Sequence, residues 1–175
     1  MDDQLARLHT EAVALLRDLD SRQTQMSPTA RPGKWSIQQV VEHLLMTYGL
    51  TSEVMSARLA KGRPTQASAT FGQRAGQFSI CTLGIFPPGF SAPAAVTPSM
   101  PSTVRTGAEL SERMGSDLAR MDASIDDAEK MFGQRKAVSH ARLGPLSVAQ
   151  WRRFHAVHGR HHLKQIRTIR KDHGV

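Results

Sequence analysis

The stretch SVAQWRRFHAVHGRHHLKQIRTIRK, residues 147–171, holds four of the chain's eight histidines, and its periodicity decides the fold class. Ser147 stands three positions before Gln150, the spacing at which each side chain satisfies a free amide in the first turn of a helix. Gly144 and Pro145 lie just upstream, so a helix is predicted from Ser147 to about Lys171. Turned by ~100° per residue about His158, the residues Trp151, Phe154, His155, His162, Gln165, Ile166 and Ile169 fall on one arc. Arg152, Arg153, Arg160, Lys164, Arg167, Arg170 and Lys171 fall on the opposite arc, which reads as a wet, basic face. Only Leu163 is out of place, and His161 sits at the edge of the apolar stripe. Histidine has poor helix propensity, so this cluster needs a reason other than local conformation.

The same capping signature occurs at Ser36 with Gln39 and at Thr106 with Glu109. It predicts a second helix from Ser36 to about Lys61, and a third carrying Leu110, Met114, Leu118, Met121, Ile125, Ala128 and Phe132. A first helix is expected over residues 3–22, where Leu5, Leu8, Ala12, Leu15 and Leu19 alternate by three and four, capped by Asp2 or Asp3. Residues 62–105 hold six of the nine prolines: Pro64, Pro87, Pro88, Pro93, Pro98 and Pro101. No regular helix persists through them, although RAGQFSICTLGIF (74–86) has room for a short one. The expected architecture is all-α: one domain over residues 1–175, a four-helix bundle with a long crossover between helices two and three.

A chain of 175 residues with 39% hydrophobic and 22% charged residues has the balance of a globular protein able to bury its own core. No apolar run approaches the ~20 residues of a spanning helix, and the acidic, amphipathic start lacks the features of a secretory signal. A cytoplasmic location is expected. The single cysteine, Cys81, excludes an internal disulfide and a cysteine-based zinc knuckle. It has no nearby cation in sequence to activate it as a nucleophile. The net charge of +8 raises nucleic acid as a partner. With only 5% aromatic residues and no recognisable motif, however, a solvated basic surface is the better reading. Phosphate loops and GxSxG elbows are absent, which leaves phosphoryl transfer and serine hydrolysis without support.

A wheel drawn on helix two places Val40, Thr47, Leu50, Val54 and Ala57 around His43, so this histidine also turns inward, away from Glu42 and Glu53. A lone inward histidine is more often a hydrogen-bonded core residue than a ligand. Two neutral imidazoles at positions i and i+4 of an apolar stripe are different. His158 and His162 carry polar atoms that must be satisfied or desolvated at a cost, and a divalent cation satisfies both.

The blocks GKWSIQQVVEHLL (33–45) and HARLGPLSVAQWRRFHAVHGRHHLKQI (140–166) resemble the DinB-like superfamily of metal-dependent four-helix-bundle proteins, with weaker similarity in IFPPGFSAP (85–93). The likeness is to a branch known only as a domain of unknown function. It implies a three-histidine site for a divalent ion (zinc, nickel or iron), built here from His43, His158 and His162. It also implies a homodimer, and thiol chemistry with a low-molecular-weight co-substrate.

Three histidines leave coordination positions open, the pattern of a catalytic site, where a metal lowers the pKa of water or stabilises a thiolate. The expected function is a metal-dependent enzyme on a small molecule, a thiol S-transferase or a hydrolase. The alternative is a non-catalytic bundle that holds metal or ligand for sensing or protection. His155, one turn before His158, and His140, ahead of helix four, are the candidate acid/base residues, and Gln165 is placed to orient a ligand imidazole. Trp35 and Trp151 read as structural, and Met46, Met114 and Met121 as core.

Overall fold

The computed structural model describes residues 1–30, 33–87 and 91–175. Pro88 of the crossover, with Gly89 and Phe90 of the IFPPGFSAP block, lies outside them. The described residues are mostly helical: α1 (Asp3–Leu16), α2 (Ile37–Ala60), α3 (Phe71–Gln77), α4 (Gly107–Phe132) and α5 (Val148–His173). One antiparallel hairpin, β1 (Lys136–His140) and β2 (Gly144–Ser147), precedes α5.

Capping chemistry fixes where the long helices begin. Ser36, Thr106 and Ser147 each accept a hydrogen bond from the amide three residues on, and the side-chain oxygens of Gln39, Glu109 and Gln150 accept one from the cap's own amide. Asp2 caps α1 by accepting from the Gln4 amide at 2.9 Å. That helix stops at Leu16 rather than near residue 22. Asp20 captures the amides of Arg22 and Gln23 at 2.8 Å, a local alternative to the helical ladder. The hairpin replaces the loop expected before α5. Val138 pairs with Leu146 and His140 with Gly144, and the Trp151 indole donates to the Val138 carbonyl at 3.2 Å.

The four long helices share one core, in which Leu5, Leu8, Tyr48, Met55, Met114, Met121, Leu163 and Ile166 are buried. The first half of helix α5 is buried on several sides, while Lys164, Arg167 and Lys171 keep the exposed basic back expected of them. Leu163, Ala156 and Gly159 are buried. At Gly159 a Cβ would come within 2.4 Å of Leu8, so the helices meet at van der Waals distance there. The basic residues are largely paired: Arg152 with Asp122, Asp126 and Glu129 of α4, Arg160 and Arg167 with Glu11, and Arg170 with Asp18.

Helix α2 also departs from expectation. Its buried residues include Ile37, Val40, Val41, His43, Leu44, Tyr48, Thr51 and Met55, whereas Leu50 and Ala57 are exposed. At ~100° per residue the apolar part of that set centres roughly 120° round the helix from His43. His43 is therefore buried at the flank of the core, against His158, His162, Trp35 and the Val96 carbonyl of the crossover. Met46, read as core, is likewise exposed. Residues 91–105 are strapped to α2 by hydrogen bonds from Gln38 to the Thr103 carbonyl (2.8 Å), from Gln39 to Ser99 (3.2 Å) and from the Arg105 amide to Gln38 (2.9 Å). Earlier in the crossover, α3 runs into a π-helical turn (Phe78–Thr82), and Gln77 donates to the carbonyls of Leu143 and Pro145 in the hairpin.

Candidate metal centre

His43 comes from α2, and His158 and His162 from adjacent turns of α5. All three are buried, at 3%, 6% and 5% exposure. Their Nε2 atoms converge: His158 Nε2 lies 3.2 Å from that of His43 and 3.0 Å from that of His162. The outer nitrogens decide which protons are present. His43 Nδ1 is 2.6 Å from the Val96 carbonyl, which only accepts, so Nδ1 carries the proton and Nε2 presents a lone pair. His162 Nδ1 donates to Gln165 Oε1 at 2.9 Å, and the Gln165 amide nitrogen donates in turn to His161 Nε2 at 3.2 Å. His162 Nε2 is therefore also a bare lone pair.

His158 faces both lone pairs, and its Nδ1 is buried with no hydrogen-bond partner among the described residues. With its proton on Nε2 it serves one neighbour, leaves the other lone pair opposed, and strands Nδ1. With the proton on Nδ1, three lone pairs converge and the N–H has no acceptor. Neither tautomer balances the hydrogen bonding, and buried polar atoms left so are costly.

An extra proton is no remedy. Burial holds His158 well below the usual histidine value, helped by the neighbouring His162 and His43. Burial likewise lowers His162 to about 3, and lowers His43 despite its bond to Val96. A divalent cation does satisfy the set. Three imidazole nitrogens ~2.0–2.1 Å from a tetrahedral zinc stand about 3.3 Å apart. The candidate ligand atoms here all lie within 4.8 Å of one another. Donor type, lone-pair direction and spacing fit a metal ion.

Aromatic rings enclose the trio. Phe154 stacks on His158 at 5.3 Å, Phe86 lies 5.3 Å from the same ring, and Trp35 lies 4.9 Å from His43 and stacks at 6.4 Å over His162. His155 and His140 stand apart from the three Nε2 atoms. His155 has no exposed surface. Its Nε2 meets Thr51 at 3.0 Å, and burial, then the charge of His140, lowers its pKa to about 3. His140 is half-buried in the hairpin, its Nδ1 accepting from the amides of Arg142 and Leu143, both at 3.1 Å. Burial, then Arg142, brings its pKa to about 4. The Phe154 ring lies 4.6 Å from His140, 5.0 Å from His155 and 5.3 Å from His158.

A family model described as the DinB superfamily matches residues 4–166, a span holding all three converging histidines. The chain belongs to the DinB superfamily. No curated protein and no solved structure gives a significant match.

In this DinB-superfamily chain, sequence reasoning missed Trp35, Phe86 and the Val96 carbonyl as parts of the site. Phe154 lay on the histidine arc but was not singled out. Trp35 precedes its helix and has no periodicity to place it. The Val96 contact is a backbone group 53 positions from His43, which no side-chain pattern announces.

Proposed function

We propose that this protein binds one divalent metal ion through His43, His158 and His162 and applies it to a small-molecule substrate, in a reaction of the thiol S-transferase or hydrolase type. The observation that carries this reading is the three-way convergence of Nε2 atoms, which no set of histidine tautomers satisfies. A metal held by three neutral imidazoles retains open positions and supplies Lewis acidity, the property that makes water or a thiol nucleophilic at neutral pH.

The chain's own residues have distinct parts. Val96 and Gln165 hold two ligands as Nδ1–H tautomers. Trp35, Phe86 and Phe154 keep water from the rings. His140, whose Nδ1 is occupied by two amides, keeps its proton on Nε2 and, neutral at working pH, is proposed as a hydrogen-bond donor rather than an acid. The same proposal treats the four long helices as the family's four-helix bundle in one domain, with residues 62–105 as its crossover, in a cytoplasmic homodimer. Among the described residues, no helix is long and apolar enough to cross a membrane.

A non-catalytic, metal-holding role is the second reading. The low exposure of the trio favours it. The test is turnover by metal-replete protein with a panel of low-molecular-weight thiols, electrophiles and amides. Turnover abolished in His158→Ala supports the enzyme. Full metal occupancy with no turnover supports the holding protein.

A further inference from the structure

A second feature of α5 lies on the other side of Phe86. Arg153, Arg160 and Lys164 line a groove of about 250 Å³ together with Ile85, Phe86 and Val157, and no acidic residue lines it. Arg152 and Arg170 of this helix have carboxylate partners of their own, whereas the three cations of the groove have little carboxylate pairing between them. Among the described residues, Arg153 donates to the neutral Gln4 amide oxygen, at 3.2 Å, and to no carboxylate. Arg160 shares the single Glu11 carboxylate with Arg167, at 3.5 and 3.6 Å. Lys164 is exposed and has no carboxylate partner among the described residues.

The crossover is shaped to this cluster. Gly84 has φ +70, a backbone conformation that favours glycine, and sits against Arg153, whose Nη2 would stand 2.8 Å from a Cβ there. Beside the cations the crossover leaves Ile85 55% exposed. An apolar wall facing cations with little carboxylate pairing is the lining expected of a site that takes an anion with a hydrocarbon body. Phe86 joins groove and metal centre, its ring lying 4.9 Å from His161 and 5.3 Å from His158.

We infer that this groove binds a small organic anion, its carboxylate or phosphate head on Arg153, Arg160 and Lys164 and its short apolar body on Ile85, Phe86 and Val157. The volume lies below the ~300–1,000 Å³ of drug-sized pockets, which suits a short-chain acid and is too small for a nucleotide. That the anion is the substrate of the metal centre rests on the proposed function. That it binds does not.

Isotope-labelled protein is titrated with hexanoate, hexylphosphonate and hexylamine at physiological salt, and backbone amide shifts are followed. Saturable shifts at Gly84, Phe86, Val157 and His161 with either anion, and none with the amine, are expected. The tighter of the two acids identifies the head group. Arg153→Gln raises the Kd for that acid about tenfold, the loss of one charge-assisted contact, and Arg153→Gln combined with Lys164→Gln removes saturation while distant amides stay in place. Equal binding of hexylamine, or an unchanged Kd in the double variant, overturns the inference. So does a short DNA duplex that shifts the same amides with steep salt dependence while the acids do not. Metal content measured on the same samples separates the outcomes, because acid binding is expected with the metal site full or empty.

Discussion

Replacing Arg152 by leucine tests whether α5 is locked to α4 by a buried charge. The guanidinium contacts Asp122 at 2.8 Å and Glu129 at 2.9 Å, and also Asp126. Burial by itself weakens the charge of Arg152, and the bonds from Asp122 and Glu129 more than reverse that. The three contacts are unequal. Glu129 and Asp126 are 36% and 50% exposed, so their loss costs at most ~1 kcal/mol each. Asp122 is 3% exposed, and stranding a buried carboxylate costs roughly 3–5 kcal/mol. Asp122 keeps its bond from the Asp2 amide at 2.7 Å and the terminal ammonium at 3.9 Å, which trims the penalty. A net loss of about 3 kcal/mol lowers Tm by roughly 6–12 °C in a chain of this size. Thermal and urea unfolding of Arg152→Leu, Asp122→Asn and the double variant give the cycle. A coupling of at least ~1.5 kcal/mol is expected, since the double variant removes both charges together. A single variant that loses under ~1 kcal/mol, with coupling near zero, refutes the buried lock and returns Arg152 to the pool of free surface cations.

Acid sensitivity follows from the buried imidazoles. His155 and His162 are brought to about 3, and His140 to about 4, chiefly by burial. The unfolded chain titrates near 6.5 and so binds more protons between there and the folded values. In metal-free protein, stability is full above about pH 6.5 and falls on acidification by up to ~1.4 kcal/mol per pH unit for each such histidine. His155→Gln is expected to flatten that slope by one proton, as read from urea midpoints against pH, and an unchanged slope contradicts the burial argument. Gln165→Leu removes the acceptor of His162 Nδ1 and is expected to weaken zinc binding about 10–100-fold with the far-ultraviolet spectrum unchanged. Wild-type affinity in that variant sinks the tautomer assignment. Gly107→Ala places a Cβ 1.7 Å from the Leu16 carbonyl oxygen. Backbone cannot yield as a side chain can, so a loss above ~2 kcal/mol is expected; a neutral effect by thermal unfolding means the helix start is looser than drawn.

The elements whose ends are written in local chemistry were readable from the chain. Ser36, Thr106 and Ser147 start their helices because each cap and its partner lie within four residues, and no distant contact is needed to form them. The His158 and His162 spacing is readable for the same reason. Thr70 and Gln73 carry the same signature and cap α3, so that helix was within reach of the sequence as well. What required the fold was everything set by burial. Helix α2 is apolar on several sides, so a wheel centred on His43 chose Leu50 and Ala57 over the true core face of Leu44, Tyr48 and Met55. Helix α5 lies between neighbours, so its basic arc is wet only in part: Arg152 and Arg160 are held by carboxylates of α4 and α1, while Lys164 and Lys171 are exposed. The hairpin is two short strands held by Gln77 and Trp151, contacts that strand propensity does not report.

The central claim is tested most directly by metal analysis of protein purified without supplementation, beside His158→Ala produced identically and shown by circular dichroism to be folded. Three converging imidazoles predict about one divalent ion per wild-type chain and a small fraction of that in the variant. Equal metal in the two proteins, or none in wild type even after incubation with zinc, nickel or iron, contradicts the site.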